Sequence, residues 1–271
     1  MSSMSARRNR KMKLMLLSIA TVIVLGSICG GDGPFAKKDK KEDRAQAQLK
    51  LAHSLYEAGR LGEALSAVGK SIDEMPKYAD AHLLRGIILF QLEAIDDALA
   101  DFDKTISLDR KNTEARNWRA FALVQLERFD EAMAEYERAL EDLTYPTPEK
   151  IHCNMGMLHR LMGDGGAALQ SLRKSIELNP SYARGYYELG ITYEQVGKDK
   201  EALQAYQDAR VGLDEDPRLN LRLGIALLKA GQDTKAKEHF EKVIRLAPQD
   251  SEEALEAKNR MAMMDRGRPA S

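Results

Sequence analysis

Five histidines (His53, His82, His152, His159 and His239), two cysteines (Cys29 and Cys153) and many carboxylates are the side chains able to do chemistry in this 271-residue chain. A metal centre needs three or four such ligands in one place. His152 and His159 can share one face of a helix beside Cys153, but nothing near them in sequence supplies a third ligand. His159 falls where a packing residue belongs, so a satisfied, buried histidine is the expectation, and Cys153 reads as a small hydrophobe. Two cysteines exclude both a disulfide framework and a thiolate zinc site. No Gly-rich phosphate loop, G-x-S-x-G or H-E-x-x-H occurs, and the carboxylates are scattered. No enzyme, metal or cofactor is expected.

The elements that position these residues are helical. Apolar residues at 44% and charged residues at 31%, with only 8 prolines, can build a core and favour helices. Lys+Arg 41 against Asp+Glu 42 leave a formal net charge of −1, with no basic field for nucleic acid. Residues 1–13 carry Arg7, Arg8, Arg10, Lys11 and Lys13, and the uncharged run Leu14 to Cys29 follows. That run reaches roughly 24 Å as a helix, short of a comfortable span. A basic start, a short apolar stretch and small residues at its end read as a secretory signal over residues 1–29, with an uncleaved anchor as the alternative. Either fate places residues 45 onward outside the cytoplasmic membrane. Residues 30–44, with Gly30-Gly31-Asp32-Gly33-Pro34 and then a charge run, read as a flexible tether.

From residue 45 the chain repeats itself. Segments 45–78, 79–112, 113–146, 149–182, 183–216 and 217–250 align, with Thr147-Pro148 inserted between the third and fourth. The eighth position is always small: Ala52, Gly86, Ala120, Gly156, Gly190 and Gly224. The twentieth is always alanine: Ala64, Ala98, Ala132, Ala168, Ala202 and Ala236. The twenty-fourth holds Val68, Phe102, Tyr136, Leu172, Tyr206 and Phe240. Gly59, Gly163, Gly197 and Gly231 mark the turn inside a repeat, where Glu93 and Glu127 stand in the second and third. This pattern resembles the tetratricopeptide repeat (TPR) family. The resemblance implies an all-α TPR solenoid, six helix-turn-helix repeats in a right-handed superhelix. Residues 251–265 read as a capping helix, with Ser251 as N-cap and Ala254, Leu255, Lys258, Met261, Ala262 and Met264 on one stripe, and residues 266–271 as a tail.

In TPR proteins the first helices line a concave groove through positions two, five, nine, twelve and thirteen. Position nine, commonly polar, here holds His53, Ile87, Phe121, Met157, Ile191 and Ile225. Position five adds Leu49, Leu83, Asn117, Cys153, Tyr187 and Leu221; position twelve adds Tyr56, Phe90, Val124, Arg160, Glu194 and Leu228; position thirteen adds Leu161. The expected partner-binding surface is one long apolar trough of Leu83, Ile87, Phe90, Phe121, Val124, Met157, Leu161, Tyr187, Ile191, Leu221, Ile225 and Leu228. Inward curling that seals these side chains against the next repeat is the alternative. Position two runs Gln46, Asp80, Glu114 and then Lys150, Arg184, Arg218, a polarity that orients a ligand or merely solvates the rim. A carboxylate clamp of the chaperone-tail type is not expected, because Leu49 and His53 occupy its places.

Export, a cysteine closing the apolar run, a tether, six repeats and a cap together resemble the type IV pilus pilotins (the Tgl, PilF and PilW group). Leu25-Gly26-Ser27-Ile28-Cys29-Gly30 matches a lipobox in part: Ser27 fits, whereas Gly26 and Ile28 depart from it. The resemblance implies lipidation at Cys29, an outer-membrane location facing the periplasm, and a secretin subunit as protein partner. Membrane contact would run through the N-terminal lipid or anchor. A membrane-anchored scaffold for another envelope assembly, or a regulatory subunit with an uncleaved span, is the alternative.

Overall fold

The structure, a computed structural model, describes residues 34–266. The signal segment and Cys29 lie outside the described residues. Thirteen α-helices and no strand are present among the described residues. They fall into two units that part between residues 78 and 79. The first holds α1 (Pro34–Glu57) and α2 (Leu61–Glu74). The second holds α3 (Ala79–Gln91), α4 (Ile95–Leu108), α5 (Thr113–Gln125), α6 (Phe129–Leu140), α7 (Pro148–Leu161) and α8 (Gly165–Leu178). It continues with α9 (Ala183–Gln195), α10 (Asp199–Leu213), α11 (Pro217–Lys229), α12 (Asp233–Leu246) and α13 (Glu252–Arg266). No helix among the described residues is long and apolar enough to cross a membrane.

Each repeat closes at the contact between its eighth and twenty-fourth positions. The six position-twenty alanines and the six position-twenty-four side chains are all fully buried. A Cβ on Gly86 would sit 2.6 Å from the Phe102 ring, and one on Gly224 2.6 Å from the Phe240 ring. The large residue of the second helix thus presses on the backbone of the first, so a small eighth residue is required. Between the two helices the chain turns through a positive φ in every repeat. Gly59, Gly163, Gly197 and Gly231 lie at 72°, 83°, 75° and 71°, and Glu93 and Glu127 adopt 62° and 56°. The following amide reaches back five residues each time, as in Arg60 N to Leu55 O (2.9 Å) and Arg128 N to Leu123 O (2.9 Å). This is the Schellman closure, and its geometry outlasts the loss of glycine in two repeats.

Two sequence expectations are corrected at the ends. Helix α1 begins at Pro34, so residues 34–44, expected to be a flexible tether, continue the first helix of the first repeat. Pro suits the first helical position, and the Lys, Glu, Ala and Gln that follow are good helix formers. Ala45 and Leu49 bury the inner side of α1, and Arg44 reaches Glu74 on α2 at 3.4 Å. At the other end, Ser251 caps α13 by accepting from the Ala254 amide at 3.2 Å. The stripe that packs on the last repeat is Ala254 and Ala257, both fully buried, with Met261 and Met264 beside them. Leu255 is 50% exposed and Ala262 is exposed, so neither belongs to the packing stripe. The small alanines allow the last helix to approach closely, which rotates its larger neighbours outward.

Candidate protein-binding groove

Within the second unit the first helices of successive repeats touch: α3 meets α5, α5 meets α7, α7 meets α9, and α11 meets α13. No comparable contact joins successive second helices among the described residues. Closer spacing on one side curves a stack toward that side, so α3, α5, α7, α9 and α11 form its inner face.

The expected trough residues lie there. Leu83, Ile87, Phe90, Phe121, Val124, Met157, Tyr187, Ile191, Leu221, Ile225 and Leu228 are all half-buried, and Leu161 is 54% exposed. None is sealed in. Their inner atoms rest on the core: Leu83, Ile87, Phe90 and Val124 on that of the second and third repeats, Met157, Tyr187, Ile191, Leu221, Ile225 and Leu228 on that of the fourth to sixth. Their outer atoms remain wet, so a guest covering them gains roughly 25 cal/mol for each Å² removed from water.

Position five is not uniformly open. Leu49 and Cys153, counted there, are buried. Burial pushes the Cys153 thiol up to about 12, which leaves it inert at neutral pH. Across the middle runs a polar seam. Asn154 Nδ2 donates to Asn117 Oδ1 at 2.9 Å, joining α7 to α5, and Arg160 binds Glu188 at 3.1 Å, joining α7 to α9. Beside the seam lie two apolar stretches, with Met157 between them at position nine. The first, on α3 and α5, is aromatic: Phe90 lies 5.2 Å from Phe121 and 5.8 Å from Trp118, centroid to centroid. Trp118 also stacks on Phe102 at 6.5 Å. The second, on α9 and α11, is built from Tyr187, Ile191, Leu221 and Ile225.

Sequence reasoning missed Trp118, which sits at position six, outside the positions counted for the groove. Its signal was available, since it is the single tryptophan of the chain. Of the expected charge polarity, the acidic half loses Glu114 and keeps the exposed Asp80. Glu114 accepts from the Trp118 indole N–H at 2.8 Å and from the Tyr145 hydroxyl at 2.5 Å, so it serves the fold rather than a ligand. Burial, assisted by that bond, holds the Tyr145 hydroxyl up at about 12. Lys150, Arg184 and Arg218 remain exposed along the second stretch.

His152 is half-buried, with burial lowering its pKa, and His159 is half-buried rather than buried. No group of three His, Cys, Asp or Glu side chains suited to a metal occurs among the described residues.

Comparison with known proteins matches the repeat pattern. Tetratricopeptide repeat models cover residues 49–113, 89–144 and 217–250, and a TPR repeat model covers residues 156–197. A TPR repeat-containing protein of Dictyostelium discoideum is 26% identical over 114 residues, 40% of this chain and 43% of that relative, so the match spans less than half its length. PilF of Pseudomonas aeruginosa superposes with a TM-score of 0.67 at 23% identity, over 83% of this chain and 99% of that one. PilW, a widely conserved type IV pilus biogenesis factor, superposes with a TM-score of 0.70 at 23% identity, over 80% and 98%. A chain of the APC/C hetero-tetramer Cut9-Hcn1 gives 0.68 at 14% identity, over 90% of this chain and 52% of that one. At these identities the likeness establishes the solenoid fold.

Proposed function

We propose that this tetratricopeptide-repeat solenoid is an outer-membrane pilotin for type IV pili, which holds secretin subunits through the groove and promotes their assembly. The observation that carries the reading is the row of half-buried apolar side chains at position nine, Ile87, Phe121, Met157, Ile191 and Ile225. Stacking the repeats does not require apolar residues there, and a guest would complete their burial. The near-complete coverage of PilF and PilW, at 99% and 98% of those chains, supports a whole-protein likeness to pilus biogenesis factors. Export, with lipidation of Cys29, would bring the groove to the membrane where the secretin ring forms. A hydrophobic strand or amphipathic helix of the subunit would lie in the groove, shielded from premature pairing until the ring closes.

Replacing Ile87, Phe121 and Ile191 together by Asp should abolish secretin oligomers on a denaturing gel while circular dichroism keeps its helical signal. Leu161→Asp, at a side chain already exposed, serves as the milder variant and should lower oligomer yield without affecting folding. Normal oligomer levels in both folded variants would refute the proposal. Metabolic palmitate labelling of wild type against Cys29→Ala tests the anchor, and a label independent of Cys29 would remove the lipoprotein part. Co-purification from membranes of a different envelope complex, without a secretin, would favour the scaffold alternative.

A further inference from the structure

The cap helix has a second face with no role in capping. Ala254, Ala257, Met261 and Met264 already seal the last repeat, yet Leu255 stands 50% exposed beside them. Leu255 lines a cleft of about 760 Å³ with Tyr187 of α9 and Leu221 and Ile225 of α11. These four form an apolar floor that continues the second stretch of the groove. The walls carry opposite charge. On α11, Arg218 and Arg222 are 67% and 46% exposed; on α13, Glu252 and Glu253 face the cleft beside Glu256, which Arg260 on the same wall neutralises at 2.7 Å. Glu252 and Glu253 have no ion-pair partner among the described residues, and the field of Glu253 reaches Arg218. Arg218 and Arg222 pair with Asp216 at 2.8 Å and Glu194 at 3.2 Å, and both guanidinium groups keep about half or more of their surface open to the cleft.

We propose that this cleft docks an amphipathic helix of a partner protein, with acidic residues on the flank that meets Arg218 and Arg222 and basic residues on the flank that meets Glu252 and Glu253. The wall residues recur at helical spacing on both sides, 218, 221, 222, 225 and 252, 255, 256, 259, so a third helix laid between them finds matching ridges at each turn. The span from 252 to 260 rises about 12 Å, enough for roughly two turns of the guest. The volume suits such an anchor. A guest with like charge on both flanks would meet one repelling wall, so the walls select the charge pattern as well as the apolar stripe. The inference extends the reading of the groove as a protein-binding surface, but depends neither on a secretin nor on a pilus.

The test uses the full chain, purified in detergent, and three labelled helical peptides with the same leucine stripe. Their flanks are acidic and basic, both acidic, or both basic. Fluorescence anisotropy at low salt should show the mixed peptide binding at least roughly tenfold tighter than either other. Leu255→Asp, which adds a charge at an exposed site and leaves the helical signal intact, should remove that binding. Arg218→Glu with Arg222→Glu makes both walls acidic and should transfer the preference to the doubly basic peptide. Equal affinity for all three peptides, no saturable binding, or binding indifferent to Leu255→Asp would overturn the proposal. Because the secretin assay reads Ile87, Phe121 and Ile191, and this one reads Leu255, Arg218 and Arg222, either proposal can fail alone.

Discussion

The Tyr206 hydroxyl donates to Glu194 Oε2 at 2.8 Å, bridging the second helix of the fifth repeat to its first. Tyr136, at the same place in the third repeat, buries its hydroxyl with no partner among the described residues. Burial raises both phenols, so neither ionises at accessible pH. Removing the two hydroxyls should therefore have opposite effects. Tyr206→Phe breaks a bond to a carboxylate and should cost about 1.5–3 kcal/mol, whereas Tyr136→Phe deletes an unsatisfied group and should gain about 1 kcal/mol. Thermal melts decide it, with shifts of about 2–4 °C for each kcal/mol. A Tyr136→Phe variant less stable than wild type would contradict the orphaned hydroxyl.

Glu93 and Glu127 occupy the left-handed turn that glycine occupies in the other four repeats, at φ of 62° and 56°. A side chain there costs about 1 kcal/mol or more. Glu127→Gly should stabilise the chain by about 0.5–1 kcal/mol, and the converse change, Gly231→Glu, should destabilise it by a similar amount. Denaturant unfolding of the two variants tests both signs, and a destabilised Glu127→Gly would mean that this side chain contributes something the turn geometry does not.

His239 lies half-buried with Nδ1 2.9 Å from Asn220 Oδ1. Burial first, then Arg210 and Lys242, lower its pKa in the folded state. The unfolded chain, titrating near about 6.5, therefore takes up a proton more readily than the folded one. Stability should be unaffected above that pH and fall as the pH drops below it, until the folded pKa is reached. His152, also lowered by burial, adds to the same window. Melts between neutral pH and the onset of carboxylate titration should show His239→Gln with a flatter decline than wild type. An equally steep decline in the variant would assign the loss to other groups.

Much of the fold was legible because its rules act within one repeat. Position eight meets position twenty-four through a short turn, so Gly86 against Phe102 and Gly224 against Phe240 appear in the sequence as a spacing and in the structure as a contact. The turns were legible at four glycines and at Glu93 and Glu127, where the two closing hydrogen bonds impose the geometry whatever the residue. The start of α1 was misread because a run of charge is equally at home in a solvated tether and on the wet side of a helix; the buried Ala45 and Leu49 beyond it decide for the helix.

The sequence determined by itself the period, the helix pairs and the apolar character of position nine, since each depends on residues a few turns apart. Tertiary structure alone decided what those residues make together. How far Ile191 stays wet, where Asn117 and Asn154 pair between helices, and whether Leu255 faces the core or a cleft all depend on the spacing and rotation between neighbouring helices. That spacing is set by packing summed along the stack, and no single repeat encodes it.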